Sequence, residues 1–217
     1  MIISSLGSGC QIRLSLCPMK SDGTRKYEMK KRAAALDETR RKITEATVEL
    51  HRTVGPSATT ITDVAERAGV RRATVYNHFP DEVSLLASCS AHWRALHPPP
   101  DVKGWVAVDD DAERLRIALR QLYSWYRETE PMTANVLRDA ETMPALGNII
   151  ANGLGRYLSE VRKILAGKPK VRGRRRDRVE AAAAVAADFH TWRSLAALGD
   201  DEAAEVAARF IESAGAD

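Results

Sequence analysis

Residues 59–79 read TTITDVAERAGVRRATVYNHF, two short helical patterns separated by little more than a glycine. Ile61, Val64, Ala65 and Ala68 recur at the i, i+3, i+4, i+7 spacing that places apolar side chains on one helix face. Thr60 is a good N-cap, and Asp63 stands where its carboxylate reaches back to the cap, a variant of the capping box. Gly69 falls where the first helix must end in a left-handed residue, which glycine adopts without steric cost. Val70 then buries under the turn, while Val75 and Phe79, four apart, anchor the second helix. The spacing from Ala65 through Gly69 to Val75 is that of a helix-turn-helix.

The outer face of the second helix carries Arg71, Arg72, Thr74, Asn77 and His78 beside Tyr76. Arginine pairs bidentately with guanine in the major groove, and asparagine with adenine. Threonine, tyrosine and histidine suit phosphate oxygens, which set register rather than sequence. A solvated face accounts for most polar helix faces. Here a rigid turn, two leading arginines and an outward aromatic coincide, and together they point to DNA.

The bulk properties agree. The chain has 217 residues, room for one ordinary domain or two small ones. Residues 1–97 carry 15 Lys/Arg against 10 Asp/Glu (+5) and residues 98–217 carry 18 against 19 (−1), so the N-terminal half is the one suited to a polyanion. No apolar run approaches the ~18 residues that span a bilayer. The opening MIISSLGSGCQIRLSLCPMK lacks a charged start and a clean apolar stretch. It is expected to be a disordered leader, or to precede the true start at Met19 or Met29, rather than a secretory signal. Cys10, Cys17 and Cys89 are too scattered for a disulfide framework, which fits a reducing cytoplasm. His51, His78, His92, His97 and His190 show no metal-ligand spacing. No phosphate loop, nucleophile elbow or catalytic carboxylate pair appears, so neither an enzyme, a metal nor a cofactor is expected.

Outward from the central stretch the chain reads as helices almost throughout, about nine in all. Residues 1–36 form a basic arm expected to be flexible. A helix starts near Asp37 and ends at Gly55-Pro56. The helix from Asp81 turns Leu85, Leu86, Cys89, Trp93 and Leu96 inward, and HPPPD at 97–101 breaks it. Residues 109–128 are strongly amphipathic. Pro131 and Pro144 suggest new helix starts, the second leading to Leu165 across Gly153 and Gly155, where a bend or close packing is expected. After the basic loop GKPKVRGRRRDR come an alanine-rich helix at about 175–198 and a last helix from Asp200.

The stretch from Arg40 to Leu86 resembles the DNA-binding domain of the TetR family of bacterial transcriptional regulators. The residues that carry the resemblance are RRKITEATVEL, Gly55, ATTITDVAERAGV and ATVYNHFPDEVSLL. The resemblance implies an all-α fold: a three-helix helix-turn-helix domain at 37–97, with the motif at 60–79, then an effector-binding and dimerisation domain at 98–217. It puts Thr60, Thr74, Tyr76 and His78 on phosphate-contacting positions and Arg72 and Asn77 on base-reading ones. Family members often carry lysine at the start of the fourth helix. Glu82 stands there instead and would repel phosphate, a loss the basic residues Lys30, Lys31, Arg32, Arg40, Arg41 and Lys42 could offset.

The family likeness further implies a homodimer on palindromic double-stranded DNA, a repressor released by a small apolar effector. Leu122, Tyr123, Tyr126, Met132, Met143, Ile150, Leu154 and Tyr157 are the candidate effector contacts, though an ordinary core would use the same residue types. Ala182, Ala183, Ala186, Ala187, Phe189, Trp192, Phe210 and Ile211 are candidates for a four-helix dimer interface, or for an intramolecular core. The alternative function is a DNA-bound protein that engages a protein partner rather than a small molecule.

Overall fold

The computed structural model describes residues 22–167 and 172–216. The N-terminal leader with Cys10 and Cys17, and Lys168–Val171 of the basic loop, lie outside them. Among the described residues every regular element is a helix.

Helix α1 is Asp22–Thr53. Its part up to Thr39 forms a unit of its own, exposed at every described position before Thr39. The arm expected to be flexible is therefore helical from Asp22. Alanine, lysine, arginine, glutamate and methionine fill it, and all are strong helix formers, which outweighs its lack of an apolar stripe.

The second unit begins at Arg40. The end of α1 packs with α2 (Ile61–Ala68) and α3 (Arg72–His78) around Ile43, Val64, Ala65, Val75, Phe79 and Leu85. Burying a valine or phenylalanine fully is worth about 1.5–3 kcal/mol, so this small core can hold two helices too short to survive alone. Helix α4 (Glu82–Leu96) leads out of it. The short α5 (Val102–Val106), which periodicity does not reveal, anchors Trp105 in the next core, where the indole donates to Gln121 Oε1 at 2.7 Å.

Helix α6 runs from Asp111 to Ala140 and contains Pro131, so the expected helix start there is corrected. Tyr126 and Thr129 are buried before the proline and Met132 and Thr133 after it. Packing on both sides offsets the ~3 kcal/mol that an interior proline costs. Helices α7 (Pro144–Ile150) and α8 (Arg156–Leu165) join through a π-helical turn, Ala151–Gly155, where the two glycines had suggested a bend.

The expected alanine-rich helix is two helices, α9 (Arg174–Ala186) and α10 (Phe189–Leu195). Asp188 divides them by capping α10, accepting from the N–H groups of His190 at 2.8 Å and Thr191 at 3.3 Å. Helix α11 is Asp200–Ala214 and packs on α6 and α9.

The expected dimer residues also need correction. Ala182, Ala183, Ala186, Ala187, Phe189, Trp192 and Ile211 are buried within this chain's own core. Small side chains on α9 let its neighbours approach closely, so the alanine face serves intramolecular packing. Phe210 is 49% exposed, and Val206, four residues earlier on the same face of α11, is 42% exposed.

Candidate nucleic-acid interface and effector cavity

Each part of the α2–turn–α3 unit has a local cause. The capping box at the start of α2 is complete: Thr60 N–H donates to Asp63 Oδ2 at 2.9 Å, and Asp63 N–H to Thr60 Oγ1 at 3.2 Å. The hydrogen bonds from Thr60 hold the Asp63 carboxyl below its ordinary range. Gly69 closes α2 at φ 68, ψ 34, and Val70 N–H reaches back to the Ala65 carbonyl at 2.9 Å. That bond fixes the angle at which the chain enters α3. Val75 and Phe79 are 0% and 2% exposed, so the opposite side of α3 must face outward.

On that outward side Arg71, Arg72, Tyr76 and Asn77 are exposed, and Thr74 and His78 half-buried; Thr60 is exposed at the head of α2. Tyr76 is 48% exposed, a large apolar area to leave in water without a partner. Asp81 caps α4 through Ser84 N–H at 2.7 Å, which leaves Glu82 exposed in the first turn, a favourable place in the helix dipole.

Arg40 has a role that sequence reasoning missed. Its Nη1 donates to the His78 carbonyl at 2.5 Å and its guanidinium lies 4.0 Å from the Phe79 ring centroid. It satisfies the C-terminal end of α3 and braces that helix, where a part in offsetting Glu82 had been expected. Arg41 pairs with Glu45 at 2.5 Å, one turn along α1. Lys30, Lys31 and Arg32 are exposed in the N-terminal unit.

A cavity of about 170 Å³ lies between α4, α6, α7 and the π turn. Met132, Ile150, Leu154 and Tyr157 line it, as the sequence suggests. Leu122, Tyr123, Tyr126 and Met143 do not. Leu122, Tyr123 and Tyr126 lie on the face of α6 turned toward the main core. There the Tyr123 and Tyr126 hydroxyls donate to the carbonyls of Ala186 at 2.8 Å and Ala187 at 2.7 Å. Burial raises the pKa of both phenols and keeps them neutral donors. Met143 is the N-cap of α7, outside the wall. Sequence reasoning missed Trp93, Arg94 and Trp125, and the buried pair His51 and Cys89, which also line the cavity.

His51 Nδ1 and Cys89 Sγ are 3.3 Å apart. Burial drives the imidazole down to about 4, against a weaker opposing pull from Asp139, and pushes the thiol up to about 12. Both are therefore neutral near pH 7, and the thiol is a poor nucleophile.

The same stretch of α6 grips the helix-turn-helix domain. Asn135 Nδ2 donates to the carbonyls of His51 and Arg52, each at 3.0 Å, and Ser57 N–H donates to Asp139 Oδ2 at 2.9 Å. Burial raises the Asp139 carboxyl, but Arg138 and Ser57 outweigh it and hold the carboxyl below its ordinary range. Gly55 at φ 97 passes so close that a Cβ would lie 2.7 Å from Asp139 Oδ2.

Residues 43–89 match the family described as bacterial regulatory proteins, tetR family. A relative, the HTH-type transcriptional regulator SrpR of Pseudomonas putida, is 35% identical over 85 residues, covering 36% of this chain and 40% of that protein. The fold extends further than the sequence likeness. A regulator from Saccharomonospora viridis, solved in complex with choline, aligns with TM-score 0.58 at 19% identity over 81% of this chain and 96% of that one. The TetR family transcriptional regulator PfmR of Thermus thermophilus aligns with TM-score 0.53 at 22% identity over 79% and 96%.

Proposed function

We propose that this chain, whose residues 43–89 match the TetR family of bacterial regulatory proteins, is a member of that family and a ligand-controlled transcriptional repressor acting as a homodimer. The observation that carries this reading is α3 itself: braced by Val75, Phe79 and Arg40, it presents Arg72, Tyr76 and Asn77 to solvent as one rigid surface. Arg72 and Asn77 read base edges in the major groove, and Thr60, Thr74, Tyr76 and His78 hold phosphates. One such head covers too little DNA for a specific site. Two heads related by a two-fold and spaced one helical turn (~34 Å) apart reach the needed specificity.

Val206 and Phe210 on α11, with Val185 on the adjacent α9, are exposed apolar residues suited to the dimer contact. The cavity takes a small effector, as the choline complex of the Saccharomonospora viridis protein supports for the fold. Its wall includes Leu86 and Cys89 of α4 and Met132, Thr133 and Val136 of α6. Helix α4 continues to Leu85 in the reading-head core, and α6 holds α1 through Asn135 and Asp139. An effector that spreads these walls moves both supports and changes the separation of the heads. A hundredfold loss of DNA affinity needs ~2.7 kcal/mol of differential binding.

Footprinting of the DNA flanking the protein's own coding region tests the proposal. A protected inverted repeat at moderate salt is expected; no protection, or protection without a repeat, refutes it.

A further inference from the structure

Taking the cavity as the effector site, we infer that it selects a small aromatic carboxylate, with one ring among Trp93, Trp125 and Tyr157 and the carboxylate on Arg94. Size comes first. A cavity of ~150 Å³ holds benzene, so about 170 Å³ takes one six-membered ring and a short substituent. Shape comes next, because Trp125 and Tyr157 already stand as a tilted pair with centroids 6.2 Å apart, beside Trp93. Aromatic side chains so disposed favour a flat ring over a branched aliphatic.

Charge fixes the class. Among the described residues no Asp or Glu lines the cavity, and the only full charge on its wall is Arg94. Arg94 Nε is tethered to the Ser90 carbonyl at 3.3 Å, and among the described residues no carboxylate pairs with the guanidinium. Its Nη1 lies 3.4 Å from where a Cβ would stand on Gly153. Gly153 belongs to the π turn, a device that re-aims a helix wall and recurs at functional sites. The guanidinium thus lies over bare backbone, and because Arg94 is an exposed residue of the cavity wall its fork is open to a carboxylate, which arginine takes bidentately. On the wall the buried His51, Cys89 and Thr133 are neutral and offer nothing to a second charge. A quaternary ammonium would meet aromatic faces but also an uncompensated cation, so this wall disfavours it.

The test titrates the full chain with phenylacetate, phenylacetamide, benzyltrimethylammonium and toluene, read by calorimetry. Phenylacetate is expected to bind about tenfold more tightly than phenylacetamide, the usual gain for a hydrogen-bonded charge, with benzyltrimethylammonium weakest. Arg94→Gln is expected to bring the acid down to the amide's affinity, and added salt to weaken the acid alone. The inference falls if amide and acid bind equally, if the preference survives Arg94→Gln, if the ammonium binds best, or if neither acid nor amide binds. Toluene separates this failure from failure of the underlying reading. If it binds and Leu154→Trp abolishes its binding, the cavity stands as a ligand site. If it does not bind, that reading falls too.

Discussion

His51 makes stability depend on pH in a way that can be worked out from its surroundings. Burial lowers its folded-state pKa from 6.5 to about 4. The unfolded chain therefore binds more protons than the folded one throughout the interval between those values, and stability falls as pH drops through it. The contribution is fully present above pH 6.5. At 1.36 kcal/mol per pKa unit the limiting loss, reached below pH 4, is about 3 kcal/mol. Linkage puts the loss between pH 7 and pH 6 at about 0.7 kcal/mol and between pH 7 and pH 5 at about 2 kcal/mol. Urea unfolding followed by circular dichroism at fixed protein concentration measures it directly. His51→Asn keeps a polar atom near the Cys89 thiol but removes the titrating ring. The wild type should lose about 2 kcal/mol more than this variant between pH 7 and pH 5. Parallel pH profiles for the two proteins would refute the claim that His51 is held neutral by burial.

Three further outcomes follow from the geometry. Gly69→Ala should cost only about 1–2 kcal/mol, the left-handed backbone penalty, because a Cβ there meets nothing within 4 Å. Gly55→Ala should cost about 3 kcal/mol or more, because the Cβ displaces the Arg138–Asp139 pair; equal thermal shifts for the two variants would contradict this. Glu82→Lys should tighten binding to all DNA sequences and steepen the log–log salt dependence by about 0.9 through one new phosphate contact. The same variant should lose about 0.3–1 kcal/mol of stability from the α4 dipole, and an unchanged salt slope argues against α4 lying at the backbone. Arg72→Ala should relax base preference at one position by about 1–3 kcal/mol, whereas Tyr76→Phe should weaken all sequences alike. If competition binding finds both variants like the wild type, α3 is not the reader.

The helix-turn-helix geometry was legible because its determinants are local. A cap at Thr60, a left-handed residue at Gly69 and two anchors four apart at Val75 and Phe79 each act within one or two turns. The cavity was half legible because α6 has two apolar faces. Leu122, Tyr123 and Tyr126 share one, Trp125, Met132 and Val136 the other, and only long-range packing decides which meets a void. The same limit explains Pro131, whose helix persists through burial on both sides, and the α9 alanines, which pack inward. Arg40 could not be placed from its own segment, since its partner His78 is distant in sequence. Asp188 did carry a readable signal, a good cap before Phe189, that the surrounding alanines obscured.

The central claim is that α3 reads DNA bases as one of a symmetric pair. Selection of bound sequences from random duplex DNA, run with the wild type and with Arg72→Ala, tests it most directly. The wild type should enrich an inverted repeat whose half-sites lie about one helical turn apart, and Arg72→Ala should lose preference at one position in each half. Enrichment of no motif, of a single unrepeated motif, or of the same motif at the same stringency by both proteins would contradict it.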